Sequence, residues 1–216
     1  MKFSSHFTAA VLIFAAVHLI PCTHCSAAEP VQVYLMAGQS NMVGYGYNDE
    51  LPSEFQDPQT DVQIHHDGAW GYLRPGLGRE TNRFGPEITF GRDMADGMAG
   101  YDIALIKWAR PGTDLMEEWR SPLAGGEVGP LYTDFIENVY TALNTLGSDF
   151  RIAGMVWMQG EHDSFDLEWA QAYEQNLTYF IESIRQEFDL PNMPFVIGQI
   201  SDSEVWTYGD IVQQAQ

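Results

Sequence analysis

Beyond residue 25 the chain has no cysteine; its two, Cys22 and Cys25, fall within the first 28 of 216 residues. The remaining length therefore has no disulfide framework, no thiol nucleophile and no thiolate metal site, and its fold must rest on an apolar core. Cationic residues are also few, 10 Lys and Arg against 30 Asp and Glu, for a formal net charge of -20. That balance argues against nucleic acid and anionic membrane surfaces as partners, because phosphate would be repelled. It leaves a neutral ligand such as a glycan open. No apolar run is long enough to favour a membrane span: Phe7 to Ile20 is short and broken by His18. There is no internal repeat and no low-complexity tract. What is present, 45% hydrophobic and 19% charged residues, is the composition of one folded domain.

The first 28 residues read as a signal peptide. Lys2 supplies the positive end, Phe7 to Ile20 the apolar segment, and Ser26-Ala27-Ala28 the small residues before Glu29. Cleavage near Ala28 predicts a secreted or periplasmic protein whose folded domain spans 29–216. The alternative, a lipoprotein signal ending at Cys22, is disfavoured by Pro21. A metal or redox role for Cys22 and Cys25 is out of place in a leader.

Four apolar stretches read as core strands: residues 31–37 (VQVYLMA), 101–108 (YDIALIKW), 151–158 (RIAGMVWM) and 194–200 (PFVIGQI). Helical spacing is predicted over 86–98, 131–146 and 169–188. Residues 44–82, rich in Gly, Pro, Asn and Asp, read as a long irregular region. It contains one hairpin turning at Asp67-Gly68, and His65 and His66 are expected on its solvated faces. Apolar strands alternating with helices predict an α/β fold, a mostly parallel sheet covered on both faces, with ligands at the carboxyl ends of its strands.

Three polar clusters fall at that edge. Gly38-Gln39-Ser40-Asn41 follows the first strand, where a serine hydroxyl is held beside helix N–H groups; by position alone Ser40 reads first as a helix cap. Arg83 to Glu87 (RFGPE) puts Gly85 before a proline-led helix, either as a bare backbone donor or as a turn glycine. Trp157 to Asp163 (WMQGEHD) offers Gln159, Glu161 and Asp163, either as site groups or as a polar loop capped by Asp163 or Ser164.

GQSNM, FGPE and QGEHD, in this order and spacing, resemble the motif blocks of the SGNH-type esterases. Within them the sequence is most similar to the sialate O-acetylesterase and acetylxylan esterase group, carbohydrate esterase family six. The resemblance runs from about Val31 to Gln216. It implies a three-layer α/β/α sandwich with flavodoxin-like strand order and a serine O-acetylesterase acting on an acetylated carbohydrate, without metal or other cofactor. By position, Ser40 is the implied nucleophile. Its own N–H, Gly85 N–H and the Gln159 amide form the implied oxyanion hole, and Glu161 is the implied acidic partner of the base. Gln39, Asn41 and Thr113 are implied substrate contacts. The family carries two glycines before that threonine, whereas this chain has Pro111-Gly112-Thr113 beside Arg110.

Serine needs a base. The family places a histidine three positions after an aspartate near the C-terminus, and no histidine here fits that pattern. The expectation is a chain ending before its last strand and Asp-x-x-His segment, with His162 as the one substitute base to consider. A relative that binds glycans without turnover is the alternative.

Overall fold

Strand β1, Val31–Gly38, is buried at every position. A continuous apolar run can sit in a sheet only where both faces are covered, and this strand lies at the centre of one. The computed structural model describes residues 29–216. The predicted leader, with both cysteines and the lipoprotein alternative, lies outside them.

After β1 come helix α1 (Ser40–Val43), β2 (Gly46–Tyr47), β3 (Gln59–His66), β4 (Ala69–Leu73), β5 (Arg83–Phe84) and α2 (Glu87–Gly97). The rest is β6 (Ile103–Ala109), α3 (Pro130–Thr145), β7 (Phe150–Met158), α4 (Leu167–Glu187), β8 (Phe195–Ile197) and α5 (Gly209–Ala215). Six strands form one sheet in the order β4-β3-β6-β1-β7-β8. Only β4 runs antiparallel to its neighbour in it. On one face α3, α4 and α5 bury Phe135, Tyr173, Phe180 and Val212 with Trp119 and Trp157. On the other, α1 and α2 pack Met42 and Ile88 against Met36, Ile64 and Leu105. The result is the α/β/α sandwich expected. The four strands read from the sequence lie in the order 2-1-3-4, as flavodoxin-like winding requires. Among the described residues no helix is long and apolar enough to cross a membrane.

Two expectations change. The stretch 44–82 is not irregular throughout, since β3 pairs in parallel with β6 from Val62 to His65 and extends the main sheet. Its hairpin to β4 turns at Asp67 and Gly68, both at positive φ as a two-residue turn requires. The hairpin is therefore not solvated on both faces: His65 is 1% exposed and packs edge-on against Trp70. Burial accordingly lowers its pKa. The fourth strand is also shorter than predicted, because only Phe195 to Ile197 reach β7.

Candidate active site

The chain leaves β1 at the point where neighbouring strands depart to opposite sides. In open α/β sheets this is where a crevice forms. Gly38 faces Ala109 of β6 and Met158 of β7 in register. A side chain there is excluded, since a Cβ would stand 2.0 Å from Met158 O and the residue has φ +146°. Gln39 N–H then donates to Met158 O (2.8 Å), which anchors the turn. The N-cap of α1 is Gln39 and makes no side-chain cap bond; Ser40 is already the first helical residue. The capping alternative for Ser40 therefore fails. Its hydroxyl is partly exposed and has no hydrogen-bond partner among the described residues. Its N–H, in the first helical turn, has no intrahelical acceptor.

The loop after β7 closes over this turn. Glu161 is 3% exposed. Its Oε1 accepts from Asn41 Nδ2 at 2.5 Å. Its Oε2 is buried with no partner. Burial pushes the Glu161 carboxyl above its usual range, opposed by the nearness of its own backbone N–H and by the hydrogen bond it accepts from Asn41. Asp163 is 0% exposed and accepts from Leu115 N, Met116 N and Gln159 Nε2. Burial outweighs those donors and pushes its carboxyl up to about 7. Neither Asp163 nor Ser164 caps α4. Asp166 does, accepting from Glu168 N (2.8 Å) and Trp169 N (3.1 Å).

Several implied site groups hold the frame together in this structure. Gln159 Nε2 lies 2.6 Å from Asp163 Oδ2, 2.9 Å from Thr113 O and 3.2 Å from Gln39 Oε1, so its two hydrogens are already donated. Gly85 N–H donates to Glu87 Oε1 at 2.9 Å. Gln39 is buried, its side-chain oxygen shared among Gln159 Nε2, Gly160 N and His162 N. Thr113 is buried, its hydroxyl donating to Arg110 O and accepting from Trp119 Nε1. Of the three implied substrate contacts, Asn41 alone is exposed. His162 packs its ring against Phe165 and Trp169 and makes no hydrogen bond to Ser40. His66 is half-buried, and burial lowers its pKa. Among the described residues no three His, Cys, Asp or Glu side chains gather where they could hold a metal.

A cavity of about 280 Å³ opens beside α1, lined by Val43, His66, Lys107, Trp108, Arg110 and Asn138 among others. Ser40 is not part of its lining. The Arg110 guanidinium stacks on Trp108, 4.4 Å from the ring centre.

Sequence reasoning missed Tyr173, whose hydroxyl donates to Gln159 O (2.7 Å), and the buried pair Lys107–Glu87. Tyr173 looks in sequence like any other apolar-face residue of its helix. Lys107 did carry a signal, as a lone cation inside an apolar strand that has to find an anion.

Residues 30–216 match the family profile described as carbohydrate esterase, sialic acid-specific acetylesterase. A probable carbohydrate esterase of Arabidopsis thaliana is 24% identical, with 88% of this chain aligned to 76% of that protein. Among solved structures, an X-ray structure of an Arabidopsis thaliana protein superposes with a TM-score of 0.72 at 22% identity, over 87% of this chain and 81% of its own. NanS superposes at 0.65 with 17% identity, over 87% and 73%. XAC1771, a carbohydrate acetylesterase of Xanthomonas citri, does so at 0.62 with 16% identity, over 85% and 46%. At these identities the structural likeness establishes the fold.

Proposed function

Because the chain belongs to the sialic acid-specific acetylesterase family of carbohydrate esterases, we propose that it is an exported glycan O-acetylesterase with Ser40 as nucleophile. One observation carries the assignment. At the topological switch point of the sheet stands a hydroxyl with no partner among the described residues, and the next residue, Asn41, holds a buried carboxylate, Glu161, by one oxygen only. A carboxyl with one free, buried oxygen is suited to hold and orient an imidazolium.

In this reading Ser40 Oγ attacks the acetyl carbonyl while a base takes its proton. Ser40 N–H donates to the resulting oxyanion. Gly85 N–H and the Gln159 amide, which the resemblance places in the same hole, would first have to give up their present acceptors. The sugar oxygen leaves with a proton, and water then releases acetate from the acyl-serine. The resemblance assigns the base to a histidine of an Asp-x-x-His segment, which these 216 residues do not include; the free oxygen of Glu161 would hold such an imidazole. Gln39 and Thr113 keep the loops in register. The folded part from residue 29 onward is the catalytic domain, released from its leader.

A second reading, glycan binding without turnover, is favoured by one fact: no imidazole among the described residues meets Ser40. Acetate release from acetylated xylan and from O-acetylated sialic acid separates the two. The wild-type protein should release acetate from at least one substrate. Ser40→Ala should lower the rate by about 10³-fold or more with an unchanged melting curve. An active Ser40→Ala variant overturns the nucleophile. Glycan binding by a wild-type protein that releases no acetate replaces the esterase with the second reading.

A further inference from the structure

Lys107 and Glu87 form the most deeply buried ion pair among the described residues, with side chains 2% and 0% exposed. Each hydrogen of the ammonium has an acceptor: Val43 O at 2.9 Å, Leu77 O at 3.0 Å and Glu87 Oε2 at 2.7 Å. The other carboxylate oxygen of Glu87 takes Gly85 N–H. One pair of opposite charges thus ties together the end of α1, the loop at residue 77 and the Gly85 turn.

Such pairs are poor stability devices, since apolar residues of similar volume do as well or better. What this one supplies is geometry. Helix α1 has four residues, a single turn, too short to hold its shape alone. Its start is fixed by Gln39 N–H on Met158 O. Its end needs its own anchor, and Lys107 holds it by Val43 O. Gly44 packs backbone to backbone against the Gly85 turn, where a Cβ would meet Gly85 N at 2.4 Å. We propose that the Lys107–Glu87 pair is the positioning device for the Ser40 turn: it holds α1 against the Gly85 segment and so fixes the direction of the Ser40 hydroxyl and N–H. The link to catalysis rests on the proposed role of Ser40; the tie itself does not.

The test uses Glu87→Gln/Lys107→Met, which removes both charges together and leaves no lone buried ion. Amide exchange and acetate release are read on the same protein. Exchange at Val43, Gly44 and Gly85 should speed up while the slowest amides of β1 stay as in wild type. kcat should fall about 10–100-fold, with KM within about twofold, as expected for a reacting group displaced by less than an ångström or so. Lys107→Cys, alkylated with 2-bromoethylamine while unfolded and then refolded, rebuilds an ammonium of nearly the same length and should recover kcat. Wild type treated in parallel controls for modification of Cys22 and Cys25. The proposal is overturned if a folded double variant keeps wild-type local exchange, or keeps wild-type kcat, or loses rate through KM alone. If wild type itself releases no acetate, the esterase reading has failed, and the exchange data alone decide the tie.

Discussion

Asp163 shows how a single buried group makes stability depend on pH. Its carboxyl holds a proton up to about pH 7 in the fold but gives it up near pH 4 when the chain is unfolded. A raised value of this kind stabilises the protein fully below the unfolded value, and that contribution is lost as the pH rises through about 7. Urea unfolding of wild type and Asp163→Asn at pH 5 and pH 8 isolates it. The stability difference between the two should shrink by on the order of 2–3 kcal/mol over that interval; a constant difference would contradict the assignment. Gly38 makes a sharper demand. The backbone of Met158 fills the space any side chain would need, so Gly38→Ala should fail to fold or should melt far below wild type, in a thermal scan followed by circular dichroism. The Ser40 turn depends on that close approach whatever chemistry it carries.

Elements differed in how far the sequence announced them. Strand β1 and the middles of β6 and β7 are mainly apolar runs buried on both faces, and such runs are legible without any tertiary knowledge. Strand β3 was not, because Asp61, Gln63, His65 and His66 break the pattern. Only Val62 and Ile64 point into the core beside Leu105, and His65 is hidden by Trp70, a residue across the hairpin. That the Ser40 turn and Glu161 lie at one edge of the sheet was legible for a different reason: each follows the end of an apolar strand, where a parallel sheet puts its crevice. The present partners of Gly85 and Gln159 were not read: Glu87 and Asp163 lie only two and four residues on, but which way their carboxylates turn depends on Lys107 and on Leu115 N, from elsewhere in the chain. The 113–119 segment is itself held by an element-scale contact. Trp119 is fully buried, stands edge-on to Trp108 and Trp157, and donates to Thr113 Oγ1. Trp119→Ala should cost about 3–5 kcal/mol in denaturant unfolding, whereas Trp119→Phe should cost less because it keeps most of the ring volume.

At the scale of the molecule the excess of acid governs behaviour. With a net charge of -20, self-repulsion opposes the compact state, and salt screens it. The paired charges at the surface, Arg92 with Asp61 and Asp96, are exposed enough to offset little of it. Raising sodium chloride from 10 mM to 0.5 M should therefore lift the melting temperature by roughly 2–4 °C, the shift that about 1 kcal/mol produces in a domain this size. A fall with added salt would mean that surface attraction, not repulsion, dominates. The sheet itself distributes risk unevenly. Strand β1 pairs with β6 on one side from Gln32 to Gly38 and with β7 on the other from Val31 to Gly38, with one register shift after Val33, and the Ser40 turn grows from its end. A proteolytic nick near residue 55, or fraying of β4 or the short β8 at the margins, leaves that central strand untouched. The fold is thus built to be worn at its edges: the Ser40 turn keeps its shape until the middle of the sheet parts, so the proposed acetate release and the strand signal should vanish at the same temperature.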